Sequence, residues 1–514
     1  MEPELVPTAP LTGVAAPGPS SLHEAVRDDA RALNRALGVQ LIGYALKGGL
    51  PFLLALATQA YGAAQWGVFV ALQALVMLAV RFALFGLDKA TLWWVGAHDP
   101  REMHRALIPA VALATVSALI TSGAVALGGT FLLERWNGTS VEQLPALLVM
   151  LIGLPLMATT DVLLHASMGQ RKMGAQVAIR DTLVPVLWLV SALGFHALGL
   201  ATTGLSWAFV LSQGVGLLAA LLISVVNGEK PASPVTLRAP PGLLRYAVPV
   251  WLNEMANTTL LRIDTLVLVA LTDPFTVGIW GVIAQFGNAM RTIRRAFDPI
   301  LIAVTARISK AHDSQRLAQA LSYATQLVSL SQLPVFVFLL LFAGLLLPMY
   351  GKGFEQGSTA LVVLCAFWLV SGSISLPGVV LAGYGQARLG LMVTLIGIAL
   401  QVPLLFLFVP RYGLTGAALG VGLANIVQQL IQLWMMKKIT GGFHYTERAR
   451  RTLGPMLIAG SATAITWLVT TRVDASPWHA SIAAFAAFVC GYGLSVGRQW
   501  RRGLLRAPGH DASV

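Results

Sequence analysis

Hydrophobic positions along this chain run in long blocks rather than in strand-like alternation, and polar residues collect in short bridges between the blocks. A helix that crosses a bilayer needs roughly 20 apolar residues. On that rule the pattern predicts fourteen spans. Six precede a polar linker: Leu37–Ala60, Trp66–Leu87, Ala106–Gly128, Pro145–Gly169, Asp181–Gly199 and Thr203–Val226. Eight follow it: Tyr246–Leu271, Phe275–Ala306, Tyr323–Met349, Ser358–Gly383, Leu389–Val409, Tyr412–Met436, Leu453–Thr470 and Trp478–Val496. The proline-rich segment 1–21 has too little apolar periodicity to pack and reads as a disordered tail. Leu22–Leu37, with Arg27, Arg31 and Arg35 at spacing four, reads as a surface helix or a solvated lead into the first span.

Composition agrees, since 56% of the 514 residues are hydrophobic and 11% charged, against about 25% charged in a soluble chain. The two cysteines, Cys365 and Cys490, sit in apolar runs, so neither a disulfide framework nor a zinc cluster is predicted. The net charge of +13 would suggest nucleic acid in a soluble protein, but its placement explains it otherwise. If the N-terminus is cytoplasmic, the outer side holds only Arg135, Lys352, Arg411 and Arg472, while Lys47, Arg81, Arg262, Arg291, Arg294 and Arg295 fall within spans. The rest of the 35 Lys and Arg lie on the cytoplasmic side, as the insertion rule for short loops requires. Both termini are thereby predicted cytoplasmic, and no nucleic-acid partner is needed.

The chain also repeats itself. Trp66-Gly67-Val68, with Arg81 following, matches Trp280-Gly281-Val282, with Arg295 following, at an offset of 214 residues. Gly199-Leu200 matches Gly413-Leu414 at the same offset, and Gly169-Gln170-Arg171 matches the Gly385-Gln386-Ala387-Arg388 turn at nearly that offset. An even number of spans separates the copies, so they enter the membrane in the same direction. The expectation is an all-α membrane protein of about fourteen transmembrane helices. Two pseudo-symmetric six-helix bundles in parallel repeat, residues 37–226 and 246–436, surround a central lumen. Residues 1–36 form the tail and surface helix, 227–245 the cytoplasmic linker, and 437–514 two extra C-terminal helices with a basic tail.

Ionisable residues within spans are costly in lipid and mark a pathway or a cavity. Glu254, Thr258 and Arg262 follow at spacing four, flanked by Asn253 and Asn257, and so form one polar helix face. That face lines either a cavity or a static interhelical network. Asp264 is a poor partner for Arg262 and pairs with another span or sits at the outer interface. Lys47 lies near the position that corresponds to Arg262 in the first copy. Arg81, Arg291, Arg294 and Arg295 lie nearer the cytoplasmic ends, where they either snorkel to headgroups or form a basic mouth suited to phosphate. Asp161 and His165, at spacing four, can relay a proton or make a structural hydrogen bond. Arg180 and Asp181 read as a boundary charge and an N-cap. Trp251 and Trp280 can stack on sugars or belong to interfacial belts.

There is no Gly-x-x-x-x-Gly-Lys-Ser/Thr run and no His-Glu-x-x-His or Gly-x-Ser-x-Gly motif. No cofactor, no resident metal and no enzyme activity are predicted. Several motifs then come together: Tyr61-Gly62 to Trp66-Gly67 with Gly86-Leu87, Arg262-x-Asp264 followed by Val277-Gly278 and Trp280, the Gly-Gln turns, and Pro410-Arg411-Tyr412-Gly413-Leu414-Thr415-Gly416-Ala417-Ala418. In their order and spacing the chain resembles the Wzx-type polysaccharide flippases of the multidrug/oligosaccharidyl-lipid/polysaccharide exporter superfamily. The resemblance covers roughly residues 37–470.

It implies two six-helix bundles forming a V around a lumen. It also implies flipping, by alternating access, of an undecaprenyl-pyrophosphate-linked oligosaccharide across the bacterial inner membrane for O-antigen, capsule or exopolysaccharide assembly. On this reading Lys47, Arg81, Arg262, Arg291, Arg294, Arg295, Asn253 and Asn257 bind the substrate. Glu254, Asp264, Asp161 and His165 are candidates for coupling to H+ or Na+, and the partners are bilayer lipids and polysaccharide assembly enzymes. The alternatives are a lipid II flippase or drug exporter of the same fold, and, from another class, a membrane glycosyltransferase or polymer ligase.

Overall fold

The computed structural model describes residues 56–129, 143–170, 172–227, 237–295, 298, 314–374, 377–384, 387–440, 461 and 476–501. Every regular element among them is a helix. The first six are α1 (Leu56–Leu84), α2 (Leu87–Ala97), α3 (Met103–Leu127), α4 (Leu144–Gly169), α5 (Gly174–Ala197) and α6 (Gly204–Asn227). After the linker come α7 (Leu243–Leu271), α8 (Pro274–Arg295), α9 (Ser314–Leu346), α10 (Ser358–Ile374), α11 (Pro377–Gly383), α12 (Ala387–Thr440) and α13 (Pro477–Arg501). Lys47, most of the predicted first span and nearly all of Leu453–Thr470 lie outside the described residues.

Nine stretches among the described residues are long and apolar enough to cross a membrane, so this is a multi-pass membrane protein. The outward surfaces agree: Val116, Leu119, Ile120 and Leu127 on α3, and Leu218, Leu222 and Val225 on α6, are exposed apolar side chains that suit lipid. α7 and α8 are not among the nine, because Glu254, Arg262 and Asp264 on one and Arg291, Arg294 and Arg295 on the other lower their hydropathy.

Most helix ends fall within a few residues of the predicted spans, and α12 shows why. It runs as a single stretch of 54 residues, yet Gly413 has φ 54° and ψ −131°. Only glycine adopts that combination readily. The chain reverses there, so that a Cβ on Gly416 would lie 2.1 Å from the Phe408 carbonyl oxygen. The two limbs are the predicted spans Leu389–Val409 and Tyr412–Met436. Gly199, the partner of Gly413 in the sequence repeat, also has a left-handed φ, 83°.

The short helix α2 was not predicted as an element. It starts behind Phe85 and Gly86, both at positive φ, and buries Asp88, Ala90, Thr91 and Trp94.

Packing follows chain order. α4 packs on α2, α3 and α6, and α5 packs on α6; α10 packs on α8, α9 and α12, and α7 packs on α12. α13 lies against α9, where Phe485 meets Phe338 and Phe342, and Tyr492 donates to the Leu330 carbonyl at 2.6 Å. Two seams join α1–α6 to α7–α12. At one, Gly67 of α1 meets Pro274 and Gly278 of α8 with backbone against backbone, so close that a Cβ on Gly67 would fall 1.7 Å from the Pro274 oxygen. At the other, α2 packs on the start of α7, with Trp93 stacked on Tyr246 at 4.6 Å and Phe85 on Trp251 at 4.9 Å.

Candidate functional site

Between the two seams lies a cavity of about 360 Å³. α1 supplies Trp66, Phe69, Gln73 and Met77; α5 supplies Arg180, Asp181, Val184, Pro185 and Trp188; and α6 supplies Phe209, Ser212 and Gln213. The second set of helices contributes Arg262 from α7 and Gln285 from α8. The site is therefore assembled mainly by α1–α6 and closed by the other half.

The α5 wall depends on a local irregularity. Val177–Leu183 is a π-helical turn placed immediately before Pro185. Proline has no N–H and its ring crowds the carbonyl four residues back. A widened turn accommodates that conflict, and such turns recur at functional sites. Here it carries Arg180 and Asp181 to the cavity. Arg180, read from sequence as a boundary charge, lies inside the helix and is tied down twice. Its Nη1 donates to Gln213 Oε1 at 2.9 Å, and its Nη2 lies 3.5 Å from Asp161 Oδ1.

Asp161, on α4, is buried and shared. Its second oxygen lies 3.8 Å from Arg81 Nη2, while Arg81 Nη1 donates to Asp88 Oδ2 at 3.2 Å. His165 pairs through Nδ1 with the Asp161 backbone carbonyl at 2.7 Å, and its Nε2 lies 2.9 Å from Lys89 Nζ and 3.8 Å from Asp88. Asp161 and His165 thus sit together, with Arg81, Arg180, Asp88 and Lys89 around them, but they do not bond side chain to side chain. Asp88 and Lys89 escaped the sequence reading, which gave Arg180 no more than a boundary role. The first two fall in what reads as a loop, although Ala90, Thr91, Trp94 and Val95 continue a helical spacing of buried positions.

On α7 the polar face is placed in parts. Arg262 lines the cavity and makes no hydrogen bond or ion pair among the described residues. Just over two turns away, Glu254 lies close enough to Arg81 to attract its charge across the halves. Asn257 accepts a hydrogen bond from Thr394 of α12 at 3.5 Å, and Asn253 is half-buried. Asp264 pairs with another span: Trp280 Nε1 donates to its Oδ2 at 3.2 Å, and the Thr265 N–H donates to its Oδ1 at 2.7 Å.

Trp280 is fully buried, so it belongs neither to an interfacial belt nor to a sugar platform. Trp251 stacks on Phe85 at the α2–α7 seam. The cations of α8 diverge: Arg291 covers the Trp368 ring at 4.5 Å and donates to Asn288, Arg294 is half-buried, and Arg295 is exposed. Of the predicted substrate-binding set, the structure brings Arg262 to the cavity, places Arg81 in the acidic cluster behind it, and leaves Arg291, Arg294 and Arg295 outside its lining.

The cavity thus combines an unpaired guanidinium, a second one balanced by carboxylate, an aromatic wall and free amides. Among the described residues, no group of His, Cys, Asp and Glu is arranged to hold a metal ion. This is a polytopic membrane bundle with a cavity, lined by apolar, amide and charged side chains, where α1, α5 and α6 meet α7 and α8. Residues 62–356 match the family described as polysaccharide biosynthesis protein, and the chain belongs to that family.

A curated relative, an uncharacterized membrane protein from Methanocaldococcus jannaschii, is 25% identical over 199 residues, which span 38% of this chain and 46% of that protein. Among solved structures, the lipid II flippase MurJ in an inward closed conformation superposes with a TM-score of 0.68 at 12% identity, covering 91% of this chain and 98% of that one. An inward-facing multidrug resistance MATE family transporter of the MOP superfamily gives a TM-score of 0.62 at 18% identity, covering 78% of this chain and 94% of that one. A MOP superfamily transporter from Pyrococcus furiosus, described as having a binding pocket of reversed polarity, gives 0.61 at 16% identity over 79% and 95% of the two chains. At these identities the likeness establishes the fold.

Proposed function

We propose that the protein is a flippase that carries undecaprenyl-pyrophosphate-linked oligosaccharide repeat units across a bacterial inner membrane by alternating access. The observation that carries this reading is Arg262, a guanidinium that has no hydrogen bond or ion pair among the described residues and lies in a cavity lined from both sets of helices. An unpaired cation in such a site is costly unless an anion arrives to meet it, and guanidinium geometry matches phosphate oxygens. Membership of the polysaccharide biosynthesis family supports a substrate that carries sugar. Residues 37–226 and 246–436 are the moving halves, joined by 227–245, with 437–514 outside the exchange and both termini cytoplasmic. The cluster of Asp161, His165, Asp88 and Lys89 behind Arg180 is where coupling to H+ or Na+ would enter.

The test is the lipid-linked oligosaccharide profile of a deletion strain. Accumulation of one undecaprenyl-linked repeat unit on the cytoplasmic face, reversed by the wild-type gene, is expected. The similarity to MurJ favours lipid II as the second reading. Accumulation of the lipid-linked cell-wall precursor instead of an oligosaccharide unit would select it, and an unchanged profile for both would remove the flippase reading.

A further inference from the structure

We propose that the cavity bounded by α1, α5 and α6 is a glycan subsite that takes one or two uncharged sugar rings of the lipid-linked oligosaccharide, next to the pyrophosphate held at Arg262. The proposal rests on the flippase reading and adds where, and by what, the sugar is held.

Trp66, Phe69 and Trp188 form one aromatic wall, with Phe69 stacked on Trp188 at 5.3 Å and Trp66 set edge-on to Trp188 at 6.0 Å. A pyranose ring has apolar C–H faces and a rim of hydroxyls, so its receptor needs flat apolar surface together with converging neutral donors and acceptors. Both requirements are met here. Trp188 keeps 8% of its surface exposed and lines the cavity. Gln73 and Gln285 face the same cavity from opposite halves, and neither makes a hydrogen bond among the described residues. Each amide offers two donors and one acceptor oxygen, a match for adjacent hydroxyls. At about 360 Å³ the space is near the small end of ligand cavities, roughly 300–1,000 Å³, so the prenyl chain and distal sugars lie outside.

The sequence repeat sharpens the argument. At the offset of 214 residues, Trp280 corresponds to Trp66 and Asp264 to Leu50. In the second copy the indole N–H is satisfied by Asp264 and the ring is sealed in the core. Among the described residues the Trp66 N–H, set against Gly281, has no acceptor, and the Trp66 ring lines the cavity. One copy of this tryptophan has become packing and the other has become wall. The preference for an uncharged ring follows from Arg180, the cation on the aromatic side of the cavity, whose charge is already met by Asp161.

The experiment uses the full-length protein in nanodiscs and two probes, undecaprenyl pyrophosphate alone and the same lipid bearing one N-acetylhexosamine. The glycosylated lipid is expected to bind roughly tenfold more tightly, the size of one aromatic contact plus one or two hydrogen bonds. Trp188→Leu and Gln73→Leu should bring its affinity down towards that of the bare lipid, whereas Trp188→Phe, which keeps the wall, should retain most of the advantage. If Trp188→Leu does not fold, Gln285→Ala, a half-buried position, makes the same test. Equal binding of both lipids by the wild type, or an advantage that survives all of these variants, would overturn the subsite and leave the flippase reading standing. Failure to bind either lipid would remove both.

Discussion

At the residue scale the cations of the site divide into those held by carboxylates and Arg262. Arg81 and Arg180 are held on either side of Asp161, whereas Arg262 makes no hydrogen bond or ion pair among the described residues. Arg262→Ala should therefore reduce oligosaccharide export at least tenfold at normal membrane abundance, and Arg262→Lys should retain part of it, because a point charge replaces a fork. Immunoblotting of membranes alongside a surface-polysaccharide assay distinguishes loss of transport from loss of protein. Asp161→Asn has a different signature. It removes the carboxylate that half-buried Arg180 relies on and one of the two that hold Arg81, so the loss falls below the roughly 3–5 kcal/mol of a fully buried pair. The thermal unfolding midpoint in detergent should fall, and Asp161→Asn combined with Arg180→Gln should recover part of the loss. A midpoint unchanged in Asp161→Asn would show that the cluster contributes no stability.

At the element scale, two backbone features set the architecture. Gly67 and Gly278 let α1 and α8 touch at the backbone, and no side chain fits there without separating the helices. Gly67→Val should force the seam apart. A cysteine pair at Ala63 and Val277 should then lose its cross-linking by a short bifunctional reagent, which the parent sequence permits. Gly413 reverses α12 with a conformation that costs other residues about 1–3 kcal/mol. Gly413→Ala should lower the thermal midpoint accordingly without altering which lipid is bound. The π-helical turn of α5 belongs to the same scale, because Pro185 creates the irregularity that turns Arg180 towards the cleft.

For the whole molecule, the prediction concerns orientation. The loop charges place Lys352 outside and the linker residue Arg238 inside. In a background with Cys365 and Cys490 replaced by serine, a membrane-impermeant thiol reagent applied to intact cells should label Lys352→Cys and spare Arg238→Cys until the membrane is opened. The reverse pattern would invert the proposed direction of transport. The two seams also imply that exchange between states requires one of them to part. The Gly67–Gly278 seam is held by bare backbone and the α2–α7 seam by stacked rings, Trp93 on Tyr246 and Phe85 on Trp251.

Most of the long helices among the described residues, their approximate ends and the membrane environment were legible along the chain, because apolar run length is set by bilayer thickness and glycine and proline punctuate the runs locally. The polar face of Glu254, Thr258 and Arg262 was legible too, since helical periodicity alone puts residues at spacing four on one side. Which charges meet was decided only by tertiary structure. Asp161 joins Arg81 and Arg180 from three different helices, and Asp264 takes its partner from Trp280, sixteen residues away on the next helix. The fate of the two repeated tryptophans was hidden for the same reason. Side-chain identity and spacing are properties of one helix, but whether an indole becomes core or cavity wall depends on what the neighbouring helices bring against it.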